Sequence, residues 1–118
     1  MIKITESNVT IMVKNMDISV NFYQSIGFTI KQRWENHYAM LSAEGITIGL
    51  HPSDGDEVSS TAISIGLMIE NIEEAKNLLL KNGIEFKQDG GSSGIYLHFK
   101  DPDGTLLYYV LPQWDREY

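Results

Sequence analysis

The chain has 118 residues, 42% of them hydrophobic, with a formal net charge of −7 and no cysteine. That length supports one domain with a real core. The missing cysteines exclude disulfides, thiolate metal sites and a cysteine nucleophile, and the acidic balance argues against a partner with a phosphate backbone. The opening MIKITESNVT has neither the apolar stretch nor the cleavage pattern of a signal peptide, and no apolar run approaches the roughly 20 residues of a membrane span. The expectation is a cytoplasmic protein with no nucleic-acid or membrane partner.

In chain order, the first strand is expected over 7–14, where Val9, Ile11 and Val13 alternate with Asn8, Thr10 and Met12. Asn15 or Asp17 caps a helix carrying Met16, Val20 and Tyr23 at helical spacing, and Gly27 ends it. Strands are expected at 28–35, 37–42 and 46–51, with Glu44-Gly45 as the turn between the last two. The polar segment 52–60 reads as a linker.

The same order then recurs. A strand is expected over 61–69, and Asn71 with Glu74 has the spacing of a capping box in which Asn takes the Ser/Thr place. The helix carries Ala75, Leu78 and Leu79 and stops at Gly83. Strands follow at 84–88, 95–100 and 106–111. Gly90 to Gly94 reads as a flexible hairpin loop, and Asp101-Pro102-Asp103-Gly104 as a tight turn. Asn15 and Gly27 recur as Asn71 and Gly83, and Val9, Ile11 and Val13 as Ile65, Leu67 and Ile69, all at an offset of 56. The order is therefore β-α-β-β-β, twice: module one at 7–51, module two at 61–111 and a tail at 112–118.

Phe22-Tyr23 followed by Gly27-Phe28, the DPDG turn before the last strand and the repeat itself resemble the vicinal oxygen chelate superfamily. This superfamily includes glyoxalase I, extradiol dioxygenases, fosfomycin-resistance enzymes and bleomycin-resistance proteins. The resemblance covers about residues 7–111 and implies an α+β fold. In it, two βαβββ modules form a concave mixed-sheet groove with helices on the outside. Val9, Ile11, Val13, Ile63, Ile65, Leu67, Ile69, Leu107, Tyr109 and Leu111 would then face the core. Asn8, Thr10, Met12, Ala62, Ser64, Gly66, Met68, Leu106, Tyr108 and Val110 would face the groove.

Metal-dependent members place His, Glu or Gln at four groove positions, which the resemblance puts at Asn8, Gly49, Ala62 and Tyr108. Gly and Ala have no donor atom, and Asn and neutral Tyr are poor ligands for a transition metal. No metal and no other cofactor is expected. The acids Asp54, Asp56 and Glu57 read as solvated linker, and Glu73 and Glu74 as a helix start. The glycine-rich Gly90 to Gly94 lacks the Lys and helix of a phosphate loop.

What remains is a groove for a small molecule. Asn8, Thr10, Trp34, Tyr38 and Met40 from the first half, and Ser64, Tyr96, His98 and Tyr108 from the second, form the candidate ligand-binding set. Aromatic faces stack on planar ligands and attract cations, so the expected ligand is planar or cationic. The leading expectation is a metal-free small-molecule-binding protein, extending to drug or toxin sequestration as in the bleomycin-resistance branch, and a homodimer as is common in the family. Two other readings stay open. One is a metal-dependent lyase, isomerase or dioxygenase with a displaced site built on His51, His98 and a carboxylate such as Glu35. The other is a non-catalytic dimerising module, and the tail residues Trp114 and Tyr118 could cover either the groove or a neighbouring subunit.

Overall fold

The computed structural model describes residues 2–53, 55 and 63–113. Two compact units divide the chain, Met1–Ser59 and Ser60–Tyr118. The expectations on Asp54, Asp56, Glu57, most of the linker, Thr61, Ala62, Trp114 and Tyr118 lie outside the described residues.

The first unit runs β1 (Val9–Val13), α1 (Met16–Ser25), β2 (Thr29–Trp34), β3 (Tyr38–Ala43) and β4 (Ile46–Pro52). The second runs β5 (Ser64–Met68), α2 (Ile72–Lys81), β6 (Lys87–Gly91), β7 (Gly94–Lys100) and β8 (Leu106–Pro112). Each unit folds as one four-stranded mixed sheet, ordered β1-β4-β3-β2 and β5-β8-β7-β6. The outer strands β1 and β5 pair in parallel with β4 and β8, and the other pairs are antiparallel. A parallel pair needs a long return connection, and each unit supplies one through its helix and hairpin.

The helices begin and end as their sequences dictate. Asn15 Oδ1 accepts from the Ile18 amide and Asn71 Oδ1 from the Glu74 amide, each at 3.0 Å, so Asn15 and not Asp17 is the cap. Such a cap stabilises a helix by about 1 kcal/mol over alanine. Gly27 and Gly83 take φ of 118° and 67°, the positive region that ends a helix without a Cβ penalty. In the first unit α1 packs on one sheet face, where Ile11, Val13, Ala39, Leu41, Ile48 and Leu50 are buried under Met16, Val20 and Tyr23. Tyr23 meets Phe22 and Phe28 edge-on at 5.3 and 5.5 Å, pairs worth about 0.5–1.5 kcal/mol each beyond area burial. In the second unit Leu79 and Ala75 of α2 join Ile65, Leu97, Phe99, Leu107 and Tyr109 in the core. Asp101 Oδ1, itself buried, accepts from the Asp103 and Thr105 amides at 2.9 and 2.8 Å and builds the expected turn into β8.

Four expectations shift. Val9 and Ile63 are 44% and 59% exposed rather than covered by a helix, because they lie at and before the first residues of β1 and β5. Val110, expected on the face away from the helix, is buried. Pro52 closes β4 instead of opening a linker. The strand expected at 84–88 lies at Lys87–Gly91, so Gly90 and Gly91 belong to a strand and the hairpin loop is only Ser92-Ser93. Ile84 and Phe86 are half-buried in the connection from α2, and their alternation mimics a strand. The true β6 is an edge strand exposed throughout, where glycine and polar residues meet no packing demand. Among the described residues no helix is long and apolar enough to cross a membrane.

Candidate functional site

On the first unit the candidate residues gather on the sheet face turned away from α1. Strand register places Thr10, Gly49 and Met40 in one row across β1, β4 and β3. Tyr38 pairs with Trp34 at the other end of the β2–β3 hairpin, with ring centroids 5.8 Å apart. The Tyr38 side chain runs back across Gly49, where a Cβ would overlap its hydroxyl. That hydroxyl accepts from Asn8 Nδ2 at 3.3 Å and shares a hydrogen bond with Thr10 Oγ1 at 3.2 Å. Asn8, Thr10, Trp34 and Tyr38 thus form one connected group, with Met40 beside it in the Gly49 row.

Trp34 reaches this face only because β2 is irregular. Strict alternation from Ile30, which pairs with Leu41 on the α1 side, would turn Trp34 toward α1. The register instead jumps between Ile30 and Gln32, so that Gln32 pairs with Met40, Arg33 with Ala39 and Trp34 with Tyr38. One extra residue in a strand reverses the side of everything after it. Arg33 accordingly points to α1 and binds Asp17 Oδ1 at 2.6 Å, while also donating to Asn36 Oδ1 at 2.9 Å and the Glu35 carbonyl at 2.7 Å.

On the second unit the corresponding row is Gly66, Tyr108 and His98 across β5, β8 and β7. Again a tyrosine lies over a glycine: a Cβ at Gly66 would overlap the Tyr108 ring. Tyr96, His98 and Tyr108 form a three-ring cluster with centroids 5.7 to 6.0 Å apart, the Tyr96 and His98 planes within 10° of parallel. Ser93 Oγ and the Tyr96 hydroxyl lie 2.9 Å apart and share a hydrogen bond. His98 Nε2 sits 3.1 Å from Asp89 Oδ2, so a proton on Nε2 is donated to the carboxylate. Asp89 is outside the expected set, because the expected strand at 84–88 stops short of it; register puts it opposite Tyr96. Ser64 lies one row away, opposite Leu106, and is exposed.

These contacts bear on metal binding. Gly49 has no donor and its space holds the Tyr38 hydroxyl. Asn8 spends its amide on Tyr38, and Tyr108 stacks over Gly66 among the rings. Ala62 is outside the described residues. This donor set does not fit a divalent transition metal, which asks for three or more imidazole or carboxylate ligands. The displaced site finds no support among the described residues either, where no group of three His, Asp or Glu side chains comes together. His51 Nδ1 is 2.8 Å from the Pro52 carbonyl and its ring 6.4 Å from Tyr38. Glu35 takes φ of 50° in the β2–β3 turn, and His37 is exposed in the same turn.

A family model described as "Glyoxalase/Bleomycin resistance protein/Dioxygenase superfamily" matches residues 7–109. Among solved structures, the fosfomycin resistance protein FosX from Listeria monocytogenes, complexed with Mn(II) and sulfate, is similar with a TM-score of 0.77. It is 19% identical, with 94% of this chain and 93% of that one covered. The integron cassette protein HFX_CASS4, from the mobile metagenome of the Halifax Harbour sewage outfall, has a TM-score of 0.72. It is 22% identical, with 92% and 99% covered. No curated protein matches the sequence.

Proposed function

The chain belongs to the Glyoxalase/Bleomycin resistance protein/Dioxygenase superfamily, and on that premise we propose that it binds a planar, cationic small molecule without a metal ion. The observation that carries this reading is the cluster of Tyr96, His98 and Tyr108 with the Asp89 carboxylate at its edge. Ring faces present negative potential to a cation and a flat surface to a planar ligand, worth about 0.5–2 kcal/mol per cation–π contact. Asp89 supplies a countercharge, and the chain's net charge of −7 favours a cation at longer range. The Tyr38 hydroxyl that fills the space over Gly49 supports metal independence, since it occupies ground a ligating side chain would need. The family description includes bleomycin resistance proteins and FosX is itself a resistance protein, so drug or toxin sequestration falls within the reading.

Fluorescence titration with proflavine, a planar acridinium cation, tests it. Saturable binding that weakens at least tenfold in Tyr96→Ala and in Asp89→Asn is expected. Binding unchanged by both substitutions, or no saturable binding, contradicts the reading.

A further inference from the structure

The first unit holds a second feature that the ring cluster does not use. At the β2 irregularity both Lys31 and Gln32 oppose Met40, because the register passes from Ile30 opposite Leu41 to Gln32 opposite Met40. Bulges of this kind re-aim a side chain, often beside a binding site. Here Lys31 is brought to a recess of about 240 Å³, lined also by Glu6, Ser7, Asn8, Met40 and Thr47. By itself that volume is below the roughly 300–1,000 Å³ of pockets for drug-sized ligands. A neighbouring recess of about 480 Å³ shares Ser7, Asn8 and Thr47 and runs on to Val9, Ala43 and Ile46.

The charges in the smaller recess come as a pair. Lys31 Nζ is 3.5 Å from Glu6 Oε1, and the two side chains are 47% and 74% exposed. An exposed ion pair at that separation holds its partners weakly and opens readily. A simple anion entering beside Lys31 would also face Glu6, and a simple cation beside Glu6 would face Lys31. A ligand carrying both charges makes each contact favourable at once. The Ser7 and Thr47 hydroxyls add hydrogen-bonding groups, and Val9, Ala43 and Ile46 offer an apolar continuation for a side chain.

We propose that this recess is a binding site for a zwitterion, an α-amino acid with an aliphatic side chain. Lys31 takes the carboxylate and Glu6 the ammonium. The site lies wholly on the first unit, and its residues are separate from Tyr96, His98, Tyr108 and Asp89.

The test is a ¹H–¹⁵N NMR titration of the full chain with L-valine, N-acetyl-L-valine and L-valinamide. Saturable shifts from L-valine are expected at residues 6–8, 31, 40 and 43–47. The acetylated and amidated forms, each lacking one charge, bind at least tenfold more weakly. Lys31→Met and Glu6→Gln each weaken L-valine at least tenfold, while Tyr96→Ala leaves it unchanged, which separates this site from the ring cluster. Absence of saturable shifts with L-valine overturns the proposal. So does equal binding of N-acetyl-L-valine, which would make the recess an anion site, or of L-valinamide, which would make it a cation site. Should either variant fail to fold, the two derivatives still decide the matter.

Discussion

Tyr38 reaches across the first sheet into the space that a side chain at Gly49 would occupy, and its hydroxyl is held there by Asn8 and Thr10. Gly49→Ala therefore sets a methyl group against that hydroxyl. The expected cost is about 1–3 kcal/mol, typical of overpacking. In a Tyr38→Ala background the same substitution costs much less, giving a coupling of about 1–2 kcal/mol for residues in direct contact. Urea unfolding of the four proteins of this cycle measures it, and additive costs would mean that the two residues do not share the space.

Glu35 adopts φ of 50°, the sole described non-glycine residue with positive φ. The left-handed region costs an L-residue roughly 1–2 kcal/mol, part of which glycine returns through its greater freedom in the unfolded chain. Glu35→Gly is expected to stabilise the protein by about 0.5–1 kcal/mol. The carbonyl that accepts from Arg33 Nε is backbone and survives the change. A thermal or urea denaturation curve shifted to lower stability would contradict this.

Burial pushes the Tyr109 hydroxyl from 10.0 up to about 12. The protonated form is favoured in the folded chain, so its contribution is fully present below pH 10 and is lost as pH rises toward 12. Each tenfold change in the proton-binding equilibrium corresponds to about 1.4 kcal/mol, which makes the total loss roughly 2–3 kcal/mol. Denaturation measured in steps from pH 9 to pH 12 is expected to show this decline. Tyr109→Phe flattens the part of the slope above pH 10 that belongs to this residue; an unchanged slope would assign it to other groups.

Much of the architecture is legible in the amino-acid order. The asparagine caps, the glycines that end both helices and the 56-residue offset all act locally, and helices 16–25 and 72–81 keep that offset in the fold. Parity within β7 and β8 assigns His98 and Tyr108 to one face, and register sets them opposite each other. Two features lie beyond such local patterns. The β2 bulge carries no Gly or Pro to mark it, and it is decided by pairing with β3, which alternation within one strand does not reveal. It turns Trp34 to the Tyr38 side and brings Lys31 to the recess. The β6 edge is hidden because Ile84 and Phe86 alternate like a strand while the strand itself is polar and exposed. Asp89, the partner of His98, escapes the sequence pattern for that reason alone.

On the proposed function, this member of the superfamily binds its ligand with rings and a carboxylate instead of a metal. Proflavine affinity is measured on protein dialysed against EDTA, and again after restoring Mn(II) or Zn(II). Saturable binding with the same dissociation constant in both conditions is the predicted result. Binding that vanishes in EDTA and returns with the metal would contradict it.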